Sequence, residues 1–408
     1  MGDKVDLLIR NARLRRQPQE LVEIAVTGGK IDAIGPSLER TASTVLDVDG
    51  CLVTESFVNP HLHLDKVYTL SMLGEEALRD YHGPDMGKAM TAIERAAVVK
   101  DRYEEGWILD NVRRAVRLAA RYGTTHLRAF ADVDRKAGLT GVRALLQARQ
   151  EWRGRVEIQV VAFPQDGVVR EPGAADLVRQ ALELGADVVG GIPWIEYTEA
   201  DAQNHVDAMF DLAVEFDKDV SMLVDDAGDP GLRTLEMMAV RTIGSGRQGR
   251  ALAHHARAMA LYPKPYLQKI AALLKQAGMG IVTDPHTGPL HARVSELLEE
   301  GVLVCLGQDD ISDAYYPFGR NNALEVAFLA SHLLWMTTAE DLERLYDMIT
   351  VDAARAIGLT GHRLEAGAEA NLVVLEAPDV LEALREHAEP RHVIRSGVLV
   401  PADDLQSG

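Results

Sequence analysis

Eight short apolar runs, each closed by a polar residue and most followed by an amphipathic stretch, limit the fold more than any other feature of this chain. They are GCLVTESFVNPHLH, TTHLRAFADV, RVEIQVVAFP, DVVGGIPW, DVSMLVDD, RALAHHA, GIVTDPH and VLVCLGQDD. Intervening segments such as GVRALLQARQEWRG, AADLVRQALELGA, HVDAMFDLAVEFDKD and PYLQKIAALLKQAG carry apolar residues at helical spacing, and several stop at glycine. Strands that alternate with helices pair in parallel, and eight such units close into a (β/α)8 barrel of the α/β class.

The two ends follow a different rhythm. VDLLIRNARL and EIAVTGGKIDAIG alternate apolar and polar residues, and STVLDVDGCLVT continues the pattern. The C-terminus resumes it with ANLVVLEAP and HVIRSGVLV, where TGGK and RSG supply hairpin turns. Residues 1–55 and 360–408 are therefore expected to form one small β-sandwich domain beside a barrel spanning residues 56–359.

Charge narrows the partners. The chain has 408 residues and a formal net charge of -19, with no run of lysine or arginine. Nucleic acids and anionic membrane surfaces both require a positive patch, so neither is an expected partner. No apolar run approaches the ~20 residues needed to span a bilayer. The opening MGDKVDLLIRNARL is too polar for a signal peptide, and the two cysteines, Cys51 and Cys305, suggest no disulfide framework. A reduced, cytoplasmic protein is expected. Homo-oligomers are common, and nothing in the sequence specifies one.

In such barrels reactive residues sit at the C-terminal ends of the strands. The polar residues there are His61, His63, Asp132, Gln165, Trp194, Glu196, Asp225, Asp226, His254, His255, Asp284, His286, Gln308, Asp309 and Asp310. His61 and His63 share one strand face because side chains alternate with period two. Two imidazoles on a rigid strand suit a divalent transition metal such as zinc or iron, although a surface strand acquires the pattern by chance as often. Asp309, closing the eighth strand, offers a carboxylate to ligate the metal and accept a proton from its water, whose pKa a metal lowers to about 7. Its neighbour Asp310 is left to cap the next helix.

These residues resemble the amidohydrolase superfamily, and within it the cytosine deaminase-like group of bacterial cytosine deaminases and N-isopropylammelide amidohydrolases. The resemblance lies in FVNPHLHLDK, VVAFPQDGV, GADVVGGIPWIE, DDAGDPGLRTLE, GRALAHHARAM, LGQDDISDAYYPFG and ITVDAARAIGL…LEAGAEANLVVLEA, which span nearly the whole chain. It implies one metal held by His61, His63 and Asp309, with His255 facing the hydrolytic water, Gln165 binding substrate and Asp226 shuttling a proton. The family's fifth-strand histidine is replaced by Leu223, a second-strand histidine by Phe130, and the histidine before the last aspartate by Gln308. His255 or Asp225 is then expected to move in as fourth ligand. Trp194 and Tyr315 are expected to stack on a planar ring, Lys66 to be an ion-pair partner, and His254 to face away and pack against a helix. The implied function is metal-dependent hydrolysis of a non-peptide C–N bond in a small cyclic amidine or amide. The competing reading is a non-catalytic small-molecule binder on a decayed scaffold.

Overall fold

The computed structural model describes residues 4–73, 78–79 and 86–405. Five strands open the chain: β1 (Lys4–Leu14), β2 (Gln17–Thr27), β3 (Lys30–Gly35), β4 (Thr41–Asp47) and β5 (Leu52–Glu55). The β2–β3 turn places Gly28 and Gly29 at φ 58° and 79°, the two successive left-handed residues of a twist-matched two-residue hairpin.

The first apolar run is two strands, not one. β5 belongs to the terminal sheet, whereas β6 (Phe57–His63) begins the barrel. The hand-over takes one residue. Ser56 N–H donates to Asn371 O at 2.9 Å, and Phe57 N–H donates to Gly123 O at 3.0 Å, so consecutive amides serve different sheets.

The remaining seven runs are strands in the expected order: β7 (Thr124–Asp132), β8 (Glu157–Phe163), β9 (Val188–Gly191), β10 (Asp219–Val224), β11 (Ala251–His255), β12 (Gly280–Thr283) and β13 (Val304–Leu306). Each pairs in parallel with the next, and a bridge between Leu62 and Asp309 closes β13 onto β6. The chain then returns to the terminal sheet through β14 (Leu372–Leu375), β15 (His392–Arg395) and β16 (Val398–Leu399). β14 pairs antiparallel with β5, which joins the two ends of the chain in one mixed sheet. The architecture is a (β/α)8 barrel with a small β domain built from both termini. No helix among the described residues is long and apolar enough to cross a membrane.

The barrel interior is layered. Val58, Leu252, Val282 and Cys305 form an apolar floor against Ala353, Ala354 and Ile357. Above it Phe130, Val161, Phe163, Val188 and Leu223 form a second apolar layer. The polar residues collect at the C-terminal rim, where reactive groups of this architecture belong.

Gly123 sits where the sheets meet, at φ 82°, and a Cβ there would lie 2.6 Å from Val373 Cγ1 and 3.2 Å from Phe57. Gly123→Ala is expected to lower stability by about 2–4 kcal/mol through overpacking and backbone strain, seen as a drop in the urea midpoint at constant slope.

Candidate metal centre and active site

The site is built around Asp309. Its Oδ1 lies 2.9 Å from His61 Nε2, 3.8 Å from His63 Nε2 and 3.8 Å from His255 Nε2. Its Oδ2 accepts from the Thr287 hydroxyl at 2.9 Å and from Arg257 at 3.5 Å. All these groups are buried. His61 and His63 share the inner face of β6, as their spacing predicts, with ring centroids 5.1 Å apart.

His255 reaches the site by breaking the alternation. Leu252 and His254 face the barrel interior, while Ala251 and Ala253 pack toward the helices. Regular pleating would turn His255 outward, but its φ of 67° brings it back in. The expectation that His254 packs against a helix is therefore wrong. Its ring lies 4.5 Å from that of His61 and 5.1 Å from that of Phe130.

A comparable turn follows β10. Asp225 has φ 47° and its carboxylate accepts from the Thr234 amide and hydroxyl and from the Tyr262 hydroxyl. Committed to these donors, Asp225 does not enter the site as a ligand. Asp226 does face it, 4.0 Å from His255 Nε2, and is paired with Arg257 at 2.6 Å.

Two groups among the described residues could hold a metal: His61, His255, Asp284 and Asp309, and His63, Asp309 and Asp310. His61 Nδ1, His63 Nδ1, His255 Nδ1 and both Asp284 oxygens are buried without a hydrogen-bond partner. Nitrogen and carboxylate donors left open in this way fit a divalent metal. Burial, reinforced by the Lys66 charge, holds the His63 imidazolium well below its usual range, so the ring is neutral and able to ligate. Burial alone would raise the Asp309 carboxyl, but His255, His61 and Arg257 together hold it well below. Asp310 caps no helix. Its carboxyl is pushed up by burial and by the Asp309 charge, it leans on Asp313, and Asn322 caps the following helix instead.

The pocket above Asp309 is lined by His63, Ile93, Gln165, Ile192, Leu223, Asp226, His255, Asp310 and Tyr315. Gln165 and Tyr315 thus stand where the sequence suggests. Trp194 does not line it. Pro193 starts a single 3-10 turn, Pro193–Ile195, and the indole packs into the apolar layer while Ile192 takes the pocket wall. Gln308 turns its side chain to Asp310 O and Asn321 N, and Phe130 packs 4.5 Å from the His61 ring and 5.3 Å from the His63 ring.

Three devices support the site; of these the sequence reading anticipated only that Lys66 is an ion-pair partner. Arg257 bridges Asp226 and Thr287, and its only signal was its place two residues beyond His255. Lys66 Nζ donates to Asp132 at 2.8 Å and to Gln165 Oε1 at 3.0 Å. An ammonium has no acceptor, so this contact fixes the amide with its NH2 toward the pocket. Finally, Glu196 accepts from the amides of Val168, Val169 and Arg170 and from His205 Nδ1, which pins the loop that follows Gln165.

The amidohydrolase family model matches residues 44–401. N-isopropylammelide isopropyl amidohydrolase of Pseudomonas sp. (strain ADP) is 31% identical over 412 residues, covering 99% of both chains. Among solved structures, 5-methylcytosine deaminase from Klebsiella pneumoniae, liganded with 5-fluorocytosine, superposes with a TM-score of 0.87 at 32% identity over 97% of each chain. N-isopropylammelide isopropylaminohydrolase from Burkholderia multivorans ATCC 17616 gives 0.85 at 28% identity, over 97% of this chain and 98% of that one.

Glu196→Ala removes the acceptor shared by three amides, each hydrogen bond to a charged group contributing roughly 1.5–3 kcal/mol. Hydrogen-exchange protection at residues 168–170 is expected to fall at least tenfold, on the order of 1.4 kcal/mol or more, with a rise in KM. Unchanged protection would show that the carboxylate does not hold the loop.

Proposed function

The chain belongs to the amidohydrolase family, and from that premise we propose that it hydrolyses an exocyclic C–N bond of a small cyclic amidine or amide, a pyrimidine- or triazine-like ring, releasing ammonia or an amine. The observation that carries this reading is the convergence of His61, His63 and His255 on one oxygen of Asp309, beneath a pocket lined by Gln165, Asp226, Leu223 and Tyr315. The relatives named for ammelide and 5-methylcytosine match over nearly the whole chain, which supports the substrate class.

One divalent ion, zinc or iron, would be held by His61, His255 and Asp309, while His63, expected as a ligand from the sequence, falls in a separate group that shares only Asp309 with them; when bound, the ion supplies Lewis acidity and an acidic water. The chain's own residues do the rest. Asp309 takes the proton of the attacking water. Asp226 uses one oxygen to hold Arg257, which leaves Oδ2, 4.0 Å from His255, to take the second proton of the water and pass it to the ring nitrogen, while the proton held by Asp309 goes to the departing amine. Gln165 presents its NH2 to a ring carbonyl or imine nitrogen. Tyr315 covers one face of the ring, and Leu223, Ile192 and Ile93 give it dry apolar walls.

A screen of cyclic amidines and amides for ammonia or amine release, with metal content measured on the same samples, tests the reading. His61→Ala and Asp309→Ala are expected to lose metal and activity together. Asp226→Asn should keep the metal and lose roughly 10²–10⁴-fold in kcat. Gln165→Leu should chiefly raise KM. A metal-free protein that stays inert after zinc or iron is added back would favour the non-catalytic binder.

A further inference from the structure

We infer that Asp284 is a metal ligand in this chain, completing a four-ligand set with His61, His255 and Asp309 where β10 offers only the apolar Leu223. The inference rests on the metal-dependent reading above and goes beyond it by naming a ligand set of two imidazoles and two carboxylates.

Asp284 follows β12 directly and is 2% exposed. Neither of its oxygens has a hydrogen-bond partner. Oδ2 lies 2.7 Å from His255 Nδ1, yet the two atoms are not aligned as donor and acceptor. Apart from this pairing with His255, nothing among the described residues offsets the desolvation of the buried carboxylate. Close but misaligned donor atoms are what ligands of one shared cation show. One donor atom from each of His61, His255, Asp284 and Asp309 lies within 4.8 Å of all the others. Leu223 lines the pocket but carries no donor.

A second observation is independent of these contacts. Gly307, between β13 and Gln308, keeps a negative-φ backbone, so no left-handed turn requires glycine there. A Cβ at that position would instead lie 2.6 Å from Asp284 Oδ1 and 2.8 Å from His61 Cβ. The missing side chain is what lets Asp284 and His61 approach each other. Arg257 pairs with Asp226 at 2.6 Å and reaches Asp309 Oδ2 at 3.5 Å, but it donates no hydrogen bond to Asp284. His63 falls outside this set and faces the pocket.

The competing role for Asp284 is an orienting carboxylate behind a ligand histidine, whose removal costs 10–100-fold in metal affinity without entering the coordination sphere. Cobalt(II) separates the two. X-ray absorption of the cobalt-loaded wild-type protein is expected to show two imidazoles rather than three. Asp284→Asn is expected to weaken cobalt binding more than 100-fold and to change the visible spectrum of the cobalt that remains. Gly307→Ala should weaken binding in the same direction while leaving every donor in place. Leu223→His should restore affinity in the Asp284→Asn background and add little to the wild type. An Asp284→Asn spectrum that superimposes on the wild type, or three imidazoles in the wild type, overturns the assignment and leaves the functional reading standing. A wild-type protein that binds no cobalt sinks the metal-dependent reading itself, and this inference with it.

Discussion

The closing of the barrel and the making of the site are the same event. His63 N–H donates to Asp309 O at 2.8 Å, and Asp309 N–H donates to His61 O at 3.0 Å. These two backbone bonds join the last strand to the first. The side chains of the same three residues then meet inside, with the Asp309 carboxylate 2.9 Å from His61. Residues 61 and 309 are far apart in sequence, and their meeting closes the barrel. Once it is made, Asp309 has no freedom to leave: its backbone is held by β6 and its carboxylate by Thr287 and Arg257. A register slip of one residue at this seam would turn His61 and His63 to the helical side and dismantle the centre.

How much of this was legible follows from which rule each residue obeys. The eight barrel strands were readable because their apolar runs and the intervening helical stretches obey two distinct periods. His61 and His63 were readable because both imidazoles keep the inner face of β6, despite the register irregularity between Asn59 and Leu62. The strand period alone misplaces His254 and gives no place to His255, which the family resemblance put beside the water, because one left-handed residue at position 255 reverses the facing that period two assigns. Asp225 and Asp226 fail the same test for the same reason, with φ 47° at Asp225. The rim of the barrel is thus where pattern reasoning loses its grip. Strands end there, backbone angles leave the pleat, and loops bring in partners such as Arg257 and Thr287 that no local period announces. The run GCLVTESFVNPHLH shows a milder version: the period continues through Ser56 while the hydrogen-bond partners change from one sheet to another.

The replacements at 130, 223 and 308 have different structural meanings. Gln308 serves the loop after β13, bonding Asn321 and Asp310, and takes no part in the pocket. Phe130 packs against His61, His63 and His254, so it fills space that a polar ring would have to share with water. Leu223 does the same on the neighbouring wall. An apolar layer directly beneath charged groups lowers the local dielectric and strengthens every interaction above it. It also makes an unpaired charge there more expensive. The same substitutions that remove donor atoms therefore increase the need for the remaining ones to be satisfied.

That need also explains the two lysines buried beside the pocket. Lys66 and Lys100 both donate to Asp132, and Lys100 also reaches Asp134 and Asp166. Burial opposes the charge on each ammonium, but the surrounding aspartates outweigh it, so both stay protonated. Buried ion pairs of this kind seldom add net stability. Their effect here is positional. Lys66 has one donor for the carboxylate and another for Gln165 Oε1, and that second bond decides which end of the amide meets a ligand. Lys100, three bonds deep in the same network, joins the segment Ala97–Arg102 to the loops after β7 and β8. The same network thus links the segment after Ile93 to the loop that carries Gln165. A neutral residue at position 66 would leave Asp132 with one cation instead of two and free the amide to turn over, changing which ring atoms the pocket recognises without touching the metal centre.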